Sequence, residues 1–152
     1  MAQISDARGC FTIQGTWTPA MIDNLNILVD KMRNFEYNTL IDGNFSHDEI
    51  SQGFQANGRN SYHDTLVNMH EWFENADRKT QAAFKKLCKL MTNTRSYIEI
   101  EFMDSEPGQK LLYEEIGRLC CRNNQPFWRV YNHTLHEYSE SAVENLIEKY
   151  TG

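Results

Sequence analysis

The sequence has no long apolar run, and this absence argues against a membrane-spanning helix. No stretch approaches the roughly 18–20 consecutive apolar residues that such a helix needs. The first residues, Met-Ala-Gln-Ile-Ser-Asp, also lack the basic and apolar regions of a secretion signal. We therefore expect a protein of the cytoplasm.

Cysteine and proline are also scarce. The four cysteines include the neighbours Cys120 and Cys121, and adjacent cysteines rarely bond to each other. No spacing typical of a disulfide framework or of a Cys-x-x-Cys metal site is present, so reduced thiols are expected. With only 3 prolines and 40% hydrophobic residues, the chain is predicted to fold rather than to be disordered.

The sequence lacks the local motifs of the common cofactor and hydrolase chemistries. It has no Gly-rich phosphate loop ending in Gly-Lys-Ser/Thr, no Gly-x-Gly-x-x-Gly turn, no His-Glu-x-x-His and no Gly-x-Ser-x-Gly. We therefore predict no cofactor and no metal ion, and we assign no catalytic residue from a motif. Binding is favoured over catalysis.

What is present is a mixture of helical and strand patterns. Alternating side chains predict strands at 10–14, 98–103 and 127–131, and a short strand is expected at 37–41. Apolar residues at helical spacing predict helices that start at Pro19, run within 62–73 and 83–91, and close the chain after the capping residue Ser141.

Several segments between these elements are less regular. Ser46 and Glu49 have capping-box spacing, which predicts a short helix before Gly53. Asn57-Gly58 and residues 104–108 are predicted turns. Residues 111–121 fit either a helix or the arm of a hairpin. Because the elements do not alternate regularly, we predict one α+β domain over residues 1–152, with an antiparallel or mixed sheet packed against three to four helices.

Acidic residues dominate the charge, with a net value of −6. They concentrate after residue 93, and this sign argues against charge-driven binding of nucleic acid. An acidic face is usually a solvated one. The alternative is an acidic surface that contacts a protein partner, for example a component of a nucleic-acid-handling complex. Its predicted residues are Glu99, Glu101, Asp104, Glu106, Glu114 and Glu115.

One tripeptide suggests an enzyme as the alternative. A His-x-Thr pair occurs twice in the two-histidine phosphoesterases, where two histidines move protons and two hydroxyls hold the phosphate. This sequence has one such pair, His63 and Thr65, and could use His133 or His136 as the second histidine of a small hydrolase or phosphoesterase. The same histidines are possible metal ligands, but nothing in their spacing forces them together.

A basic cluster offers a third possibility. Arg78, Lys79, Lys85, Lys86 and Lys89 fall on one predicted helix, which is usually a solvated face. A nucleic-acid binder could use Lys85–Lys89 to contact phosphates, although no aromatic residues are interleaved with the lysines.

Residues 54–66 and 100–108 resemble small uncharacterised α+β proteins of phages and mobile elements. The shared features are the Gly58-Arg59 turn before a central helix and the acidic strand that follows it. The resemblance implies an inhibitor of a host defence system, of the anti-CRISPR or anti-restriction type. Gly58 and Arg59 would then be structural, with Arg59 paired to Asp104 or Glu106.

Overall fold

The computed structural model describes residues 4–33 and 39–151. Within these residues, six strands and five helices confirm the α+β class, with one more helix than the three to four expected. In chain order the elements are β1 (Ser5–Gln14), α1 (Pro19–Arg33), β2 (Thr39–Ile41), β3 (Ser51–Gly58), α2 (Tyr62–Val67), α3 (Met69–Glu74), α4 (Arg78–Thr94), β4 (Tyr97–Glu106), a 3₁₀ turn (Pro107–Gln109), β5 (Leu111–Arg122), β6 (Gln125–Leu135) and α5 (Glu140–Thr151).

The strands form one antiparallel sheet in the order β2-β3-β1-β4-β5-β6. β1 lies inside the sheet, where Phe11 is opposite Gln52 of β3 and Ile100 of β4. β2 and β6 are the edge strands. Antiparallel pairing fits the sequence, because β4, β5 and β6 follow one another through short connections.

Each face of the sheet has its own cover. The core face carries Phe11, Ile100 and Phe102, and α1–α4 pack on it to form the main hydrophobic core. The opposite face, called the α5 face below, is covered by α5 where Leu146 packs against Met103 and Leu112. No helix in the described residues has the length and apolar character needed to cross a membrane.

The structure corrects several predicted elements. No helix forms at Ser46, although the Ser46 hydroxyl does accept a hydrogen bond from the Glu49 N–H at 3.0 Å. Asn57-Gly58 lies inside β3 rather than in a turn, and residues 104–106 belong to β4. The ambiguous segment 111–121 is a strand. Residues 39–41 form the expected short strand, whereas 37 and 38 lie outside the described residues.

The Phe102 ring provides a test of the core, because its side chain is fully buried. Its aromatic neighbours, with centroids 5.2–6.5 Å away, are Phe54, Tyr62, Tyr113 and Trp128. We predict that Phe102→Ala lowers the free energy of unfolding by about 3–5 kcal/mol, measured by urea unfolding, because the lost ring leaves a cavity. Leu135→Ala is the control, since Leu135 is 71% exposed and its loss should cost about 0.5 kcal/mol or less. Equal effects of the two substitutions would contradict the core assignment.

Candidate acid–base site

A buried carboxylate at Glu115 brings three elements together. Glu115 points from β5 toward the core face and is 1% exposed. Its Oε1 accepts from Nδ1 of His133 at 2.8 Å, and its Oε2 accepts from Nδ1 of His63 at 2.9 Å and from Nε1 of Trp128 at 2.9 Å. A buried carboxylate is costly unless donors surround it, and two imidazoles and an indole supply them here.

The same hydrogen bonds orient both imidazoles. A carboxylate accepts hydrogen bonds, so the geometry assigns the proton to Nδ1 of His63 and of His133. Nε2 is then the nitrogen that can take up a proton. No hydrogen bond within residues 4–33 and 39–151 uses Nε2 of either histidine, and their side chains are 38% and 41% exposed. Two bases that share one carboxylate therefore remain accessible to solvent.

A β-bulge in β6 places His133 in this site. Trp128 and His133 are five positions apart, and in a regular strand an odd separation puts two side chains on opposite faces. The register shifts between Ile116 and Gly117, which leaves Tyr131 as the extra residue of β6. Trp128 and His133 consequently both reach the side of Glu115.

Gly117 leaves room for the Trp128 ring. A Cβ atom at this position would lie 2.7 Å from two carbons of the Trp128 ring and 2.6 Å from the carbonyl oxygen of Arg129. Because such contacts are too short, any larger residue at position 117 must displace the indole that donates to Glu115.

A second buried carboxylate holds the start of α2. The helix is capped by the Ser61 hydroxyl, which accepts from the Asp64 N–H at 3.2 Å. Asp104, 1% exposed, accepts from the Ser5 hydroxyl, from the Tyr62 N–H at 2.8 Å and from the Tyr113 hydroxyl at 2.8 Å. These bonds anchor the first turn of the helix that carries His63.

Tyr113 links the two carboxylates. Its hydroxyl donates to Asp104 and accepts from the His63 N–H at 3.3 Å, while its ring stacks on His133 with centroids 4.8 Å apart. Burial, together with the nearby charge of Asp104, raises the pKa of Tyr113. Burial also raises the pKa of Asp104, although its three donors act in the opposite direction.

The structure brings together only one of the two candidate histidine pairs. His136 is turned away, with its Nε2 2.8 Å from Oε1 of Glu114 on the α5 face. Burial alone would raise the pKa of Glu114, but hydrogen bonds from Lys149, Tyr150 and His136 lower it. Glu114 therefore connects β5 to α5 and takes no part in the site.

The predicted phosphate-binding role of Thr65 has no support in the geometry. Its hydroxyl donates to the carbonyl of Ser61 at 3.3 Å, and its side chain lines a separate cavity of ≈ 580 Å³ beside α2. The cations Lys31 and Arg59 also line that cavity. So do three carboxylates, those of Asp64, Glu71 and Asp77.

The prediction of one continuous acidic surface is wrong. Asp104 and Glu115 are buried, and Glu106 lies with them on the core face, where burial and the charges of Asp104 and Asp64 raise its pKa. Glu99, Glu101 and Glu114 lie on the α5 face. Side chains that alternate along strands cannot form a single strip.

The predicted Gly58-Arg59 turn and the predicted ion pair of Arg59 are corrected. Gly58 is the last residue of β3 and pairs with Ser5. It does not have the positive φ angle of a tight turn; among the described glycines, Gly15 does. Within the described ranges no ion pair joins Arg59 to Asp104 or Glu106; the donors to Asp104 are uncharged. The side chain of Arg59 is exposed.

Residues 4–33 and 39–151 form no candidate metal site. No group of three or more His, Cys, Asp or Glu side chains there has an arrangement that could hold a metal ion.

Comparison with protein-family models, curated proteins and solved structures finds no match to the chain.

The raised pKa of Asp104 predicts a pH-dependent contribution to stability. Its pKa lies above the ordinary value of 3.8, so its full contribution is present below that value and is lost as the pH rises through the folded-state pKa. We predict that wild type gains stability relative to Asp104→Asn as the pH falls from about 7 to about 3. Urea unfolding across this range measures the difference. A difference that is constant, or that changes in the opposite direction, contradicts the burial argument.

Proposed function

We propose that the protein is a small enzyme in which His63 and His133 form an acid–base pair that cleaves phosphoester bonds. One observation carries this proposal: both imidazoles donate through Nδ1 to the single buried carboxylate of Glu115. Since both nitrogens are within 3.0 Å of Oε1, the two rings are two hydrogen bonds apart. Two imidazoles anchored to one carboxylate are neighbours, and neighbouring groups can act on one substrate.

The proposed reaction divides the proton transfers between the two histidines. Nε2 of one neutral imidazole removes the proton from an attacking water molecule or hydroxyl group, whose oxygen forms the new bond to phosphorus. The other histidine, in its protonated form, gives its Nε2 proton to the leaving oxygen as the old phosphorus–oxygen bond breaks. Glu115 keeps both Nδ1 protons in place and stabilises the positive charge on the protonated ring.

The phosphoester class is supported by the number and charge of these groups. Displacement at phosphorus needs a proton acceptor for the entering oxygen and a proton donor for the leaving oxygen, and two adjacent imidazoles supply both. A protonated imidazole also attracts the negative charge of the phosphoryl oxygens. The surface of the pair is exposed enough to admit a substrate, since each side chain is more than one third exposed.

The test is hydrolysis of bis(4-nitrophenyl) phosphate and cleavage of an RNA oligonucleotide by the purified chain. We expect His63→Asn and His133→Asn each to lower kcat/KM by about 10²–10⁴-fold, because each removes one proton transfer. Asn keeps a polar side chain of similar size at the surface, so the fold should survive.

His136→Asn is the matched control, because His136 bonds to Glu114 on the other face of the sheet. Its activity should equal that of wild type. Absence of activity toward both substrates, or equal activity in all three variants, would overturn the proposal.

The expected inhibitor of a host defence system remains an alternative proposal. The division of the six acidic side chains between two faces leaves it without a defined surface.

A further inference from the structure

The α5 face of the β5–β6 hairpin, together with the first residue of β4, concentrates arginine and aromatic side chains. We call this group the arginine–aromatic patch; it consists of Arg118, Arg122, Arg129, Tyr97, Phe127 and Tyr131. It lies on the same hairpin as the acid–base site but on the opposite face. The three arginines are exposed, and Tyr131 is 52% exposed.

Stacking organises the patch. The guanidinium of Arg118 lies 4.4 Å from the ring centroid of Tyr97 and 5.6 Å from that of Tyr131, and the guanidinium of Arg122 lies 5.1 Å from the ring of Phe127. The bulge in β6 gives Tyr131 its place, since the extra residue is turned toward Arg118. Planar cations therefore lie against rings on this surface, where the three arginines and Tyr131 are exposed and Tyr97 and Phe127 are half-buried.

Positive charge is focused at the centre of the patch. Arg118 and Arg129 are directly opposite each other in the strand register, an arrangement that destabilises a sheet. Cys120 lies among the arginines: burial raises the pKa of its thiol, and the charges of Arg118, Arg129 and Arg122 each lower it. Three guanidinium groups thus act on one point of the surface.

Few carboxylates face this patch. Glu99 is opposite Arg118 in the register and contributes to the raised pKa of Tyr131, for which burial is the main cause. Glu101 is the next acid on this face and lies 3.4 Å from the Tyr150 hydroxyl of α5. No ion pair within the described part of the chain joins an arginine of the patch to a carboxylate. The patch is therefore locally basic on an acidic protein.

We propose that the arginine–aromatic patch binds single-stranded nucleic acid. Exposed guanidinium groups contact phosphates, and exposed rings on a sheet accept unpaired bases by stacking. Double-stranded nucleic acid would bury its bases and could not use the rings. This inference goes beyond the proposed catalytic function and does not require it, since no residue of the acid–base site belongs to the patch.

Fluorescence anisotropy with labelled single-stranded RNA and DNA tests the proposal. Binding should weaken with salt, with a slope of log K against log salt concentration near −2, because three neutralised phosphates each contribute about −0.7. Tyr131→Ala should weaken binding by about 5- to 150-fold, as expected for loss of one stacked base. Arg118→Ala and Arg129→Ala should weaken binding and make the slope less steep. Comparison of the RNA and DNA arms shows which sugar is preferred.

The matched control is the triple variant Lys85→Ala, Lys86→Ala, Lys89→Ala, which removes three exposed cations from α4 on the core side of the sheet. It should bind like wild type, as should His133→Asn, whether or not the latter has lost catalytic activity. The proposal would be overturned if the protein did not bind, or if a duplex bound equally well. It would also be overturned if the α4 variant lost binding while Tyr131→Ala kept it, or if polyglutamate displaced the probe better than an oligonucleotide did.

Discussion

The site depends on the hydrogen bonds that the buried carboxylate of Glu115 accepts. Removing a carboxylate from water costs several kcal/mol, and this cost is met only where donors are held in place. Here the donors come from α2 and β6, so one side chain of β5 sets the positions of a helix and an edge strand. Loss of any donor would leave the charge of the Glu115 carboxylate partly unpaired. The need for these donors fixes the orientation of the His63 and His133 rings although both are partly exposed.

The second carboxylate, Asp104, acts on the same helix through its backbone. It binds the Tyr62 N–H directly and, through the Tyr113 hydroxyl, the His63 N–H. The first turn of α2 is thus held by a network that also includes the ring stacked on His133. Both buried acids lie on the core face of neighbouring strands. Acidic residues of this region therefore anchor neighbouring elements by hydrogen bonds, in addition to contributing surface charge.

Sequence patterns predicted the elements that bury a simple stripe, such as α1, α4 and β4. They failed at β3, whose residues have low strand propensity and are ordered by pairing with β1. His63 was found through its tripeptide, but Glu115 was interpreted as a surface acid because 111–121 fits two structures. In a strand, the shared parity of Tyr113, Glu115 and Leu119 places the acid inside. The bulge at Tyr131 has no local signature, so the convergence of His133 could not be predicted.

Two imidazole protons define the shared-carboxylate site, and NMR can locate them. Long-range ¹H–¹⁵N spectra, recorded where the imidazoles are neutral, distinguish the Nδ1–H from the Nε2–H tautomer of each ring. The structure predicts Nδ1–H for both His63 and His133. That preference should be lost in at least one ring of Glu115→Gln, because the amide replaces one accepting oxygen by an NH2 group that only donates, while each carboxylate oxygen lies within 3.0 Å of an Nδ1. Nε2–H tautomers at both histidines in the wild-type protein would contradict the shared-carboxylate site.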